Sequence, residues 1–205
     1  QMCIRDRIGS TDSTYGAFRL GRDILSKGKV DLLFIESAVN ELHNSRTRDD
    51  IVKAVEGIIL QARRQNQYMD MVAQYLYDMP YVESYRKGIT PWQIAALDRI
   101  SLQYGINAID QAKQVTRWFD SGEIPAQKFG GCHPKPVGHQ AYGEMIDRLL
   151  DYGWKEPVTQ SLIPHPGSRR YDEHSYDRGH LQSINSAKIK SCLLYTSDAA
   201  DEGLG

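Results

Sequence analysis

The chain has 205 residues, 40% of them hydrophobic and 25% charged, which is enough apolar material for one ordinary domain with a sizeable core. A formal net charge of -1 excludes the clustered positive surface that nucleic acid or an acidic membrane demands. No apolar run reaches the length of a membrane span, so neither a nucleic-acid partner nor a transmembrane segment is expected.

The first residues, "QMCIRDR", raise a question of origin. The codons CAG ATG TGT ATA AGA GAC AG encode Gln1 to Arg7, and the reverse complement of that string encodes Cys-Leu-Leu-Tyr-Thr-Ser, which is Cys192 to Ser197. Two ends written on opposite strands of one short DNA read as a translated sequencing adapter at both edges of an assembled metagenomic fragment. The expected organisation is therefore adapter at 1–7, a truncated catalytic-type domain at 8–154, a linker entering a second, β-rich module at 155–191, and adapter again at 192–205. The authentic protein is expected to continue past both ends. Of three cysteines only Cys132 lies between them, and one cysteine makes no internal disulfide and says nothing of compartment.

From Gly16, "GAFRLGRDILSKGK" spaces Phe18, Ile24 and Leu25 for a short amphipathic helix ending in a Lys/Gly run. Next, Leu32 to Ile35 in "VDLLFIESAVNE" form a continuous apolar run, as expected of a strand buried on both faces of a parallel sheet. Thr47 and Asp50 form a capping box, and Ile51, Val55, Ile58, Ile59 and Ala62 recur on one helical face after it. "YMDMVAQYLY" reads as a second strand. "TPWQIAALDRISLQYG" predicts a helix with Thr90 as N-cap, Pro91 in the first helical position and Gly105 as stop. "INAID" is a third strand, "QAKQVTRWFDSG" a helix, and "KPVGHQAYGEMIDRLLDYG" a last helix with Val137, Ala141, Met145, Ile146, Leu149 and Leu150 inward. Beyond Trp154 the helical period disappears, and "RRYDEHSYDRGH" reads as a solvated or domain-joining segment. Trp92, Trp118 and Trp154 read as core or interface anchors.

Alternating strands and helices predict an α/β fold: a flavodoxin-like three-layer sandwich around a parallel sheet, incomplete at its N-terminus. Ligands in such folds bind beyond the carboxyl ends of the strands. Two segments fit that rule. In "FIESAVNE" a buried strand runs into Asn40, a short amide with two donors, and in "FGGCHPKPVGH" His133 sits in a Gly- and Pro-bounded loop before a helix. Taken alone, each is an ordinary turn or surface residue. Cys132, His133 and His139 lack a fourth ligand at zinc spacing, so no metal and no cofactor is expected.

In their order and surroundings these segments resemble the SGNH/GDSL hydrolases. The resemblance spans about Ile8 to Gly153. "VDLLFIESAVNE" is similar to that family's strand leading to Gly-x-Asn-Asp, which implies Asn40 as an oxyanion donor. "GGCHPKPVGHQAY" resembles its Asp-x-x-His-Pro block, which implies His133 as general base. "IGSTDSTYGAFRL" resembles the block carrying a glycine N–H donor, with Gly9 or Ser10 in that position. The implied activity is a serine esterase acting through an acyl-enzyme on O-acyl groups, acetyl above all, of carbohydrate; family habit also implies export and no cofactor. Four departures stand out. No Gly-Asp-Ser occurs, so the nucleophile is expected upstream of Ile8 and the 205 residues alone are expected to be inactive; Ser13 in "TDSTYG" is followed too soon by the Asn40 strand to serve instead. Gly130 stands where the acid partner of His133 is usual, leaving a dyad, a backbone carbonyl or another acid such as Asp120 to orient the imidazole. Ser10 replaces glycine, and Glu41 replaces the Asp after Asn40. The loss of the acid also motivates a rival reading, a catalytically dead module that binds glycan or scaffolds a neighbour.

Overall fold

The computed structural model describes residues 9–155, 164–165 and 170–182. The segments read as adapter, and most of the region read as a second module, lie outside the described residues. In chain order the elements are α1 (Ser13–Asp23), a 3-10 turn, β1 (Leu32–Glu36), α2 (Ala38–His43), α3 (Arg48–Gln65), β2 (Asp70–Tyr75), α4 (Met79–Arg86), α5 (Trp92–Gln103), β3 (Asn107–Asp110), α6 (Gln111–Ser121), α7 (Ala126–Phe129) and α8 (Pro136–Lys155).

The strands form a parallel sheet in the order β1-β2-β3, with Leu33 opposite Met71 and Ala73 opposite Ala108. Parallel strands need crossovers, and α3 and α5 supply them; helices cover both sides of the sheet, as an α/β fold requires. Met71, Val72, Ala73 and Tyr75 are all buried, so β2 is covered on both faces. The predicted capping box opens α3: Thr47 Oγ1 accepts from the Asp50 N–H, and Asp50 Oδ2 accepts from the Thr47 N–H, each at 3.2 Å. The predicted inward face of α3, from Ile51 to Ala62, is buried throughout.

Two boundaries and one buried face differ from the sequence reading for local reasons. Helix α1 starts at Ser13 rather than Gly16, because Asp12 Oδ1 accepts from the N–H groups of Thr14 and Tyr15 and caps it. Pro91, not Thr90, is the N-cap of α5; its ψ of 135° keeps it outside the helix. Along α8 only Ala141 of the expected inward set is buried, Val137 is exposed, and the rest are half-buried, because the tight packing is confined to the first turns around Gly138 and Tyr142. Of the three tryptophans Trp118 is in the core, whereas Trp154 is exposed.

Residues 170–182 are held against α3 rather than solvated along their length. The buried Glu56 carboxylate accepts from the Tyr171 N–H, from the Asp172 N–H at 2.9 Å and from Tyr104 Oη at 2.5 Å. Asp177 pairs with Arg64 and Arg170 at 2.7 Å each. Gly57 permits this approach: a Cβ there would lie 2.6 Å from the Tyr176 carbonyl carbon.

Candidate functional site

The carboxyl ends of β1 and β2 open onto three segments: the 9–12 turn, α2 with its trailing loop, and the 130–134 loop. The first two are stitched together. Asn40 Nδ2 donates to the Thr11 carbonyl at 2.7 Å, and Asn44 Nδ2 donates to the Ser10 carbonyl at 2.9 Å and to Asp12 Oδ2 at 2.8 Å. Arg46 Nε donates to the same Asp12 oxygen at 2.6 Å. Burial alone would raise the Asp12 carboxyl, but the bonds from Arg46 and Asn44 outweigh it and hold the group below its ordinary range. Asn40, expected where the chain leaves the sheet, lies within the short helix α2.

Ser10 adopts a φ of 56°, in the left-handed region that favours glycine. Among the described residues no acceptor bonds the N–H of Gly9 or Ser10. Ser13 is 1% exposed at the start of α1 and donates its N–H to Glu41 Oε1 at 2.9 Å; its hydroxyl is not presented to solvent. Glu41 is fully buried, and its extra methylene relative to Asp lets it reach that first N–H of α1. Burial raises its carboxyl above the ordinary value, with the Ser13 bonds opposing.

The loop of His133 is shaped by two glycines and an aromatic cluster. The Lys135 N–H donates to the Phe129 carbonyl at 2.7 Å, and Gly130 bridges Pro134. Phe129, fully buried, packs edge-on against Tyr77, Phe119 and Tyr142 with ring centroids 5.3 to 5.6 Å away. Tyr77 Oη donates to the Gly130 carbonyl at 2.8 Å, and a Cβ at Gly138 would lie 2.7 Å from both the Phe129 carbonyl oxygen and Pro134 Cβ. Gly130 has a φ of 103°, and a Cβ on it would lie 2.7 Å from the Lys135 nitrogen. An aspartate is therefore sterically unwelcome at 130. Asp120 is no substitute in this arrangement: it pairs with Arg86 at 2.7 Å on the surface. His133 is exposed, and no carboxylate among the described residues bonds it.

One acid–imidazole pair does exist nearby, and the sequence reading missed it. His43 Nε2 lies 2.8 Å from Asp78 Oδ2, and Asp78 Oδ1 accepts from the Met79 N–H at 2.7 Å as the N-cap of α4. Atoms of His43, Asp78 and Cys132 able to ligate a metal lie within 4.8 Å of one another, so the His133 loop and the Asn40 helix meet here. The sequence signal for Asp78 was its place before Met-Pro at a helix start.

Beside these segments β1 pairs with β2 on one side, and along its other side runs a cavity of about 380 Å³ lined by Thr11, Asp12, Leu33, Ile35 and Glu36 among others. Glu36 Oε1 is shut off from solvent. Burial pushes the carboxyl up to about 7, the Val39 and Ala38 N–H groups pull it down, and Glu41 adds repulsion. The unfolded chain releases this proton near 4.5 while the fold retains it to about 7. Stability is thus expected to fall as pH rises through that window, by up to roughly 3 kcal/mol. Urea unfolding of Glu36→Gln should show that fall removed, and an unchanged pH slope would assign it to other groups.

No family model matches the chain, and no curated protein matches it. Among solved structures it is similar to a two-domain esterase (CEX) active on acetylated mannans, at 23% identity and a TM-score of 0.63, covering 78% of this chain and 40% of that one. The same likeness holds for that esterase co-crystallised with mannopentaose, at 21% identity and a TM-score of 0.63, covering 83% and 42%. The chain thus spans less than half the length of these structures, and the likeness is one of fold.

Proposed function

We propose that the chain is the core of an SGNH-type serine esterase that removes O-acetyl groups from carbohydrate. The observation that carries this reading is the convergence, at the carboxyl ends of parallel strands, of the Asn40 helix, the Gly9–Ser10 turn and the His133 loop. Sharing a fold with an esterase active on acetylated mannans supports the substrate class. In this reading a serine outside the 205 residues attacks the ester carbonyl while His133 takes its proton. Asn40 Nδ2 and the N–H groups of Gly9 or Ser10 bind the resulting oxyanion. His133 then protonates the departing sugar oxygen, which leaves as the free hydroxyl, and water, deprotonated by His133, attacks the acyl-enzyme and releases acetate and the serine. The open side of β1 is where a strand bearing that serine would lie.

The test is acetate release from acetylated mannan oligosaccharides by the complete protein, run beside covalent labelling with a fluorophosphonate. Turnover with a single labelled serine is the expected result. The replacement of the usual acid by Gly130 favours the rival reading, a binding module without catalysis; glycan binding with neither label nor turnover would establish that rival and end the esterase reading.

A further inference from the structure

The His43, Asp78 and Cys132 cluster has no part in the esterase chemistry proposed above. It joins three donors of different softness, an imidazole, a carboxylate and a thiol, from three distant parts of the chain: the end of α2, the cap of α4 and the loop before α8. Their ligating atoms lie within 4.8 Å of one another. Tetrahedral zinc with Zn–S near 2.3 Å and Zn–N or Zn–O near 2.1 Å holds its ligands roughly 3.4 to 3.6 Å apart. The imidazole and carboxylate stand 2.8 Å apart in a hydrogen bond, so a bound cation parts them by about 0.6 Å and draws the thiol in by about an ångström. Cys132 is free to make it. The residue is exposed, and it follows Gly131, around whose Cβ position nothing lies within 4 Å.

The carboxylate is oriented for the task. The Met79 N–H fixes Asp78 Oδ1, which aims Oδ2 at His43, the kind of outer bond that positions metal ligands. A thiol and an imidazole together select against calcium and magnesium, which take oxygen ligands, and in favour of zinc-class cations. We infer that His43, Asp78 and Cys132 form a binding site for a thiophilic divalent cation of the zinc class, with three protein ligands and an open fourth position. Because His133 follows Cys132 directly, an ion held there pins the 130–134 loop to α2. The inference stands independently of the esterase reading.

Titration of the 205-residue chain with cobalt(II), followed by its displacement with zinc, tests the site directly. One equivalent is expected to bind with a thiolate-to-cobalt charge-transfer band, and zinc is expected to shield Cys132 from iodoacetamide. Cys132→Ser should abolish the band, and Cys132→Ser and His43→Ala should each weaken zinc binding more than about tenfold. His139→Ala, on the exposed side of α8, should change neither. Both ligand positions are exposed, so the variants are expected to keep the circular dichroism of the parent. Absence of the band, zinc binding equal in parent and Cys132→Ser, or fast alkylation of Cys132 that zinc leaves unchanged would each overturn the inference; the last outcome would instead mark a Cys–His–Asp relay.

Discussion

Replacing His133 by alanine in the complete protein is expected to lower kcat for acetate release by about 10²–10⁴-fold, the range of a lost general base. The loss should fall on kcat and kcat/KM together, because the proton moves only in the transition state. His133 is exposed and supports no packing, so the variant should unfold at the parent's temperature. The fold of its loop depends instead on Phe129, Gly130 and Gly138. Gly130→Asp, which would write the usual acid back into the sequence, is therefore not a route to a better base: at a φ of 103° and 2.7 Å from the Lys135 nitrogen, a side chain there disturbs the loop that presents His133. With that position closed, the imidazole has no carboxylate partner among the described residues, which leaves the proposed mechanism a dyad or a backbone carbonyl as orienter. Undiminished turnover in His133→Ala would remove His133 from the chemistry and turn attention to His43, the imidazole at this end of the sheet that is paired with a carboxylate, Asp78.

The features legible in the sequence were those fixed by near neighbours. The apolar run Leu32 to Ile35 announced β1, although the strand is not covered on both faces as expected: Leu33 and Ile35 are buried while Leu32 is exposed. Thr47 with Asp50 three residues on announced α3 and its cap. The parallel sheet followed from their alternation. Helix α2 was hidden because it is six residues long and its N-cap, Ser37, makes no side-chain bond to it. Helix α4 did carry a signal, Asp78 followed by Met-Pro, but its short apolar period is interrupted by Glu83 and Ser84. The burial of Glu41 and Glu56 could not be read from residue type, since each is accommodated by partners 28 and at least 48 residues away. The same is true of the candidate site. Asn40 and His133 were singled out through their resemblance to motifs, whereas the His43–Asp78 pair spans 35 residues and Cys132 comes from further still, so only the fold brings them together.

The second large effect is expected from Asn40→Ala, which should lower kcat by about 10²–10³-fold with little change in KM. Asn40 Nδ2 carries two hydrogens. One is spent on the Thr11 carbonyl at 2.7 Å, and this bond fixes which way the amide faces and leaves the other hydrogen with no acceptor among the described residues. That is the preorganisation an oxyanion donor needs: the cost of orienting it is met in the folded state and not during the reaction. The same bond gives Asn40 a structural role, so loss of activity alone would be ambiguous. Asn44 separates the two. It secures the same turn through the Ser10 carbonyl and Asp12, yet lies four residues on and has no place in the oxyanion reading. Asn44→Ala should cost thermal stability at least as much as Asn40→Ala does, while retaining most of the turnover. If both variants lose activity in proportion to their loss of stability, Asn40 is a staple of the 9–12 turn and the backbone N–H groups of that turn bind the oxyanion without it.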